Sequence, residues 1–218
     1  MTDHKDPKGL GMPSSTEWPR LSKEEIRARP IRRYEGPIHL IQRSEQIEAA
    51  VGALKKEKVL GFDTETRPTF RSGESYLPAV LQLVGEHAAY VFQLRRCRFS
   101  QALRRLLANP RIVKAGVAWD RDVLELKKLA PFKPAGFVDV GELARQAGCR
   151  NHGLSGLTAL LLDFRMSKKS QLSNWDQETL TPAQITYAAT DAWAGRELYH
   201  KLQQLLPQSP PPGRPSKT

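Results

Sequence analysis

The run VLGFDTE, residues 59 to 65, can be folded in few ways, because its apolar side chains fall on both faces of an extended chain. With the period of two, Val59 points to one side and Leu60 and Phe62 to the other, as in a central strand covered by a layer on each side. Asp63 and Glu65 then share one face, at the carboxyl end where open α/β sheets gather their ligands. Two carboxylates held that close repel, and one takes up a proton unless a cation neutralises them. An oxygen-only ligand set of this kind suits magnesium or manganese. Taken alone, the pair also fits a strand that simply runs out into solvent.

The rest of the chain supplies the layers such a strand needs. IHLIQ (38–42) reads as a strand, and residues 44–57 as a helix capped by Ser44, with Ile47, Val51 and Leu54 on one face. Residues 79–94 read as two strands around a Gly85-Glu86-His87 turn. A Ser100-capped helix at 101–108, a strand in RIVKAGVA, a helix from Asp120 to Leu129 and a short strand at 135–140 follow. Helices near 141–147 and 154–162 precede a last helix that has Thr181 as cap and Pro182 at its first position, and runs to about Leu205. Strands, a hairpin and then alternating strands and helices predict an α/β fold, a mixed sheet with helices on both faces.

At 218 residues the chain is long enough for one sizeable domain, expected over 37–205. Residues 1–36 mix Pro, Gly, Ser and charge and predict a basic, mostly disordered arm, with one short helix at SKEEIRAR where Ser22 and Glu25 have capping-box spacing. The proline-rich residues 206–218 predict a loose tail. No stretch approaches the roughly 20 apolar residues that span a bilayer, and the N-terminus lacks an apolar signal region, so a soluble, cytoplasmic protein is expected. Two scattered cysteines argue against a disulfide framework or a zinc site. Thirty-four Lys and Arg against 23 Asp and Glu leave a formal charge of +11, which favours polyanionic partners.

Two further segments carry acids. In GVAWDRDVL, Asp120 stands where a strand end turns into a helix and Asp122 in the first helical turn; each also suits an ordinary role as cap or dipole partner. In ITYAATDAWAG, Tyr187 and Asp191 are four apart and share a helix face, with Ala188, Ala189 and Ala192 permitting close approach of a neighbouring element.

FDTE, GVAWD and YAATD together resemble motifs I, II and III of the DEDDy 3′–5′ exonucleases, the DnaQ-like group that includes ribonuclease D and the Werner-type exonuclease domain. KSQLSNW is similar to the Werner-type branch. The resemblance implies a ribonuclease-H-like mixed sheet of five to six strands, one of them antiparallel. It implies two divalent cations, Mg²⁺ or Mn²⁺, held by Asp63, Glu65, Asp120 and Asp191, with Tyr187 orienting the attacking water and nucleoside 5′-monophosphates as product. Asp120 is the better match to the second-motif acid, ahead of Asp122. Thr64, Trp119 and Lys168 are candidates to meet the substrate: Lys168 as a cation near the scissile phosphate, and Trp119 by stacking on a terminal base, although burial in the core suits that ring better. The partner implied is the 3′ end of DNA or RNA. A nucleic-acid-binding module that kept this fold and lost catalysis is the competing reading, and its mark would be a missing acid.

Overall fold

The computed structural model describes residues 18–69, 71 and 73–206. The expectations for residues 1–17 and for the tail beyond 206 lie outside the described residues.

Helix α1 (Lys23–Ala28) lies in the N-terminal arm. Strand β1 (Ile38–Ile41) and helix α2 (Ser44–Leu54) lead into β2 (Val59–Thr66). Strands β3 (Pro78–Val84) and β4 (Ala89–Gln93) form the hairpin, whose turn is closed by the Gly85 N–H donating to the Ala88 carbonyl at 3.0 Å. Then come α3 (Leu94–Cys97), α4 (Gln101–Leu107), β5 (Val113–Gly116), α5 (Trp119–Leu129), β6 (Phe137–Asp139), α6 (Val140–Gln146), α7 (Leu154–Leu161) and α8 (Pro182–Leu205).

The six strands lie in the order β1-β4-β3-β2-β5-β6. Strand β3 pairs antiparallel with β2 and β4, and the remaining pairings are parallel, so β3 alone runs against the sheet. This is the mixed sheet that the periodicity predicted, and β2 sits inside it. One face buries Leu60, Phe62, Leu81, Leu83 and Phe92 under α2, α4 and α5. The other buries Val80, Val84, Ala89 and Val91 under α8, and the far half of α8 continues into a cluster with α6 and α7. Each fully buried Leu, Val or Phe contributes about 1.5–3 kcal/mol, so both layers are needed to hold β2 in place. No helix among the described residues is long and apolar enough to cross a membrane.

Local signals meet long-range packing at three points. Thr181 caps α8 in a capping box with Gln184, with Pro182 inside the first turn. Ser44 does not cap α2: Arg43 holds that position, and the Ser44 hydroxyl donates instead to the Cys97 carbonyl at 3.2 Å. Gln46 takes over the work at that helix end, its side-chain oxygen accepting from the backbone N–H groups of Gln42 and Arg43, each at 3.0 Å.

The arm departs further from expectation. Ser22 and Glu25 form the capping box of α1, but from Trp18 onward the segment is docked rather than loose. The Trp18 N–H donates to the Gly148 carbonyl, the Leu21 N–H to Asn151 Oδ1, and the Tyr34 N–H to the Thr190 hydroxyl. Ile31 forms a parallel bridge with Arg165. A polar composition predicts disorder only while the backbone has no partner, and here the partners lie more than a hundred residues away.

Candidate active site

Gly61, Asp63 and Glu65 alternate along β2 toward the α8 face. Gly61 sets how near the helix comes: a Cβ built there would lie 1.9 Å from the Ala192 carbonyl oxygen, so only a residue without a side chain admits α8 at this distance. Ala188, Ala189 and Ala192 are fully buried and keep the helix face thin. The result lays Tyr187 and Asp191, one helical turn apart, over the acids of β2. Carboxylate oxygens of Asp63, Glu65 and Asp191 all lie within 4.8 Å of one another.

Burial and mutual repulsion raise the proton affinity of this cluster. Asp63 is pushed well above the ordinary carboxylate range by burial, then by the charges of Asp191 and Asp122. Glu65 rises to about 10 from burial, then from the charges of Asp63, Asp191 and Asp122. Asp191 rises to about 6 through burial, restrained by the Tyr187 hydroxyl within hydrogen-bonding reach and by the charge of Lys168. The Tyr187 hydroxyl is held protonated by its own burial and by the acids around it. Asp191 Oδ1 is buried with no hydrogen-bond partner among the described residues. An orphaned oxygen among clustered carboxylates fits a hard divalent cation, which would satisfy that oxygen and remove the repulsion.

The two acids of the second motif take different places. Helix α5 begins at Trp119, its N-cap Ala118 in the left-handed region at φ 53°, with no side-chain cap. Trp119, Val123 and Leu126 face the sheet. Asp122 follows Trp119 by three and precedes Leu126 by four, so it lies beside that stripe and is half-buried. Asp120 is turned about 200° from Asp122 and is exposed. The Thr64 hydroxyl donates to Asp122 Oδ1 at 2.7 Å, and the Asp122 charge acts on both Asp63 and Glu65. Asp122, not Asp120, is therefore the acid that α5 brings to the cluster. The helical wheel held this signal, because the apolar stripe of α5 fixes which acid sits at its edge.

The three expected substrate contacts fall differently. Thr64 sits on the α5 face of β2, its hydroxyl committed to Asp122 and its N–H donating to Asp63 Oδ1 at 2.9 Å. Its place is between two acids, positioning both. Trp119 packs against Phe137, ring centroids 4.8 Å apart, and joins the core, so its ring is already occupied. Lys168 is exposed and lines a cavity of about 590 Å³ together with Tyr187 and Asp191.

Lys168 lies in the irregular segment between α7 and α8, which is firmly held. Trp175 is fully buried, its ring centroid 5.9 Å from that of Tyr187. The Gln184 amide donates to the Ser173 hydroxyl and the Asn174 carbonyl. From β4, Gln93 donates to the Gln177 and Glu178 carbonyls. SQLSNW thus ties the lysine loop to the first turns of α8.

A mixed six-stranded sheet with one antiparallel strand, and acids converging from β2 and α8, defines a ribonuclease-H-like nuclease fold. A family model described as 3′–5′ exonuclease matches residues 38–207, and the chain belongs to that family. It is 36% identical over 153 residues to the bifunctional 3′–5′ exonuclease/ATP-dependent helicase WRN of Mus musculus, covering 67% of this chain and 11% of that protein. Among solved structures, the Nibbler EXO domain of Aedes aegypti superposes with a TM-score of 0.72 at 23% identity, over 82% of this chain and 92% of that one. Ribonuclease D of Trypanosoma brucei, in complex with RNA U12, superposes with a TM-score of 0.68 at 20% identity, over 77% and 63%. The chain spans a quarter or less of the first two curated relatives it matches.

Proposed function

We propose that this chain hydrolyses phosphodiester bonds at the 3′ end of DNA or RNA and releases nucleoside 5′-monophosphates, using two divalent cations, Mg²⁺ or Mn²⁺. The observation that carries this reading is the meeting of the Asp63, Glu65 and Asp191 oxygens within 4.8 Å beside the Tyr187 hydroxyl. Asp63, Glu65 and Asp191 would hold one cation, and Asp63 with Asp122 would face the other. Cations held there would acidify a water and neutralise charge on the phosphate.

The remaining work falls to the chain's own side chains. The Tyr187 hydroxyl, kept protonated by its surroundings, is suited to hold and aim a water rather than to take its proton. Thr64 fixes the rotamers of its two acidic neighbours. Lys168 sets a positive charge beside Asp191 where a phosphate would lie. The water gives up a proton to solvent as its oxygen bonds to phosphorus, the bond from phosphorus to the preceding 3′ oxygen breaks, and that oxygen takes up a proton from solvent.

A binding module without catalysis fits less well, since Asp63, Glu65 and Asp191 cluster beside Tyr187 and the charge of Asp122 acts on two of them. The test is incubation with 3′- and 5′-labelled single-stranded DNA and RNA in magnesium or manganese, beside Asp63→Ala. Progressive shortening from the 3′ end that disappears in the variant and in chelator is the expected result. Uncleaved strands under every condition would leave only the binding module.

A further inference from the structure

The cavity beside Asp191 has walls from three parts of the chain. Arg150 and His152 come from the turn between α6 and α7, and Lys168 from the loop before α8; Arg20 and Ile26 come from the N-terminal arm. The arm precedes residues 38–207, so this wall lies outside the part of the chain that the family shares.

The arm is held in register with the lysine loop. The Arg32 N–H donates to the Arg165 carbonyl at 3.0 Å, and the Arg165 N–H to the Pro30 carbonyl at 2.9 Å. The Arg165 guanidinium donates back to the Arg27 and Arg29 carbonyls, and Arg29 pairs with Asp163 at 3.2 Å. Further along, the Tyr34 N–H is anchored on Thr190, next to Asp191. These bonds fix one side of the arm three residues before Lys168, while Leu21 on Asn151 fixes the other side next to Arg20.

Arg20 is exposed and has no hydrogen-bond or ion-pair partner among the described residues. Among the described residues lining the cavity, Arg20, Arg150 and Lys168 are cationic and Asp191 is the one acid. An exposed guanidinium with no partner among the described residues, lining the same cleft as Lys168, suits a ligand bearing several phosphates in a row.

We infer that the N-terminal arm is a phosphate-binding wall of the cleft, with Arg20 contacting the backbone of a single strand upstream of the bond to be cut. The inference rests on the reading that the cleft takes the 3′ end of a strand. Its consequence is that affinity for long substrates is set partly outside the family domain.

The test compares the full chain with Arg20→Ala and Arg20→Lys, with binding measured in the Asp63→Ala background so that no strand is consumed. By fluorescence anisotropy on a single-stranded oligonucleotide, Arg20→Ala flattens the slope of log Kd against log salt by about 0.7, the value for one lost phosphate contact, and Arg20→Lys restores it. In turnover, Arg20→Ala raises KM for the oligonucleotide roughly threefold with kcat unchanged. Hydrolysis of the p-nitrophenyl ester of thymidine 5′-monophosphate, which has no phosphate beyond the scissile one, stays the same. An unchanged salt slope overturns the inference, as does an equal loss on the ester. A chain that binds strands but cuts none defeats the exonuclease reading instead, and the salt slope still decides the role of Arg20.

Discussion

Replacing Gly61 by alanine tests whether the packing of α8 on β2 sets the geometry of the acids. The added methyl would lie 1.9 Å from the Ala192 carbonyl oxygen and 2.7 Å from its carbon, both backbone atoms that no rotamer change can move. Carbon–oxygen contacts settle near 3.4 Å, so the helix must retreat by about 1.5 Å at this point or the strand must bend. Overpacking of this severity costs about 3 kcal/mol, which for a chain of this size lowers Tm by roughly 6–12 °C. Asp191 adjoins Ala192, so the retreat carries it away from Asp63 and Glu65. A misplacement of about 1 Å costs on the order of a hundredfold in turnover. Differential scanning calorimetry and single-turnover cleavage of a labelled oligonucleotide measure the two effects. Gly52→Ala is the control: nothing lies within 4 Å of its Cβ, it sits on the exposed side of α2, and it should gain about 1 kcal/mol of helix stability with activity intact. A Gly61→Ala protein that melts and cleaves like the parent would refute the claim that this close approach builds the site.

Two further outcomes follow from the geometry. Asp122→Asn lowers cleavage about 10–100-fold because it removes a charge beside Asp63 and weakens the Thr64 tie, whereas Asp120→Asn changes rate by less than about twofold; steady-state kinetics on one oligonucleotide separates them. For the metal-free protein, the folded-state affinities of Asp191 (about 6) and Glu65 (about 10) lie above those of an unfolded carboxylate. The native state therefore keeps protons that the unfolded chain releases, and stability in chelator falls as pH rises from about 4 through about 6 and continues to decline toward 10. Thermal melts at stepped pH should show this fall blunted in Glu65→Gln. Manganese should restore Tm more at pH 8 than at pH 5, and a pH-independent manganese effect would mean that these carboxylates do not take the ion.

The amino-acid sequence by itself determined the elements and much of the sheet, because periodicity, turn chemistry and caps are properties of neighbouring residues. The apolar faces of 59–62, the Gly85 turn and Thr181 with Pro182 each act within a few positions, and the strands and helices formed where those signals lie. It also placed Asp63 with Glu65 on one strand face and Tyr187 with Asp191 on one helix face, since each pair obeys a local period. Which elements meet was decided by tertiary structure. Asp122 was chosen over Asp120 by the side of α5 that packs on the sheet, and the Trp119 ring was claimed by Phe137. Lys114 is fully buried and donates to the Asn109 and Ile112 carbonyls, a fate that the strand signal in RIVKAGVA does not specify. The arm, polar enough to stay loose, found its partners at Gly148, Asn151, Arg165 and Thr190. In each case the deciding contact joins residues far apart in the chain, and its energy exists only once the sheet has brought them together.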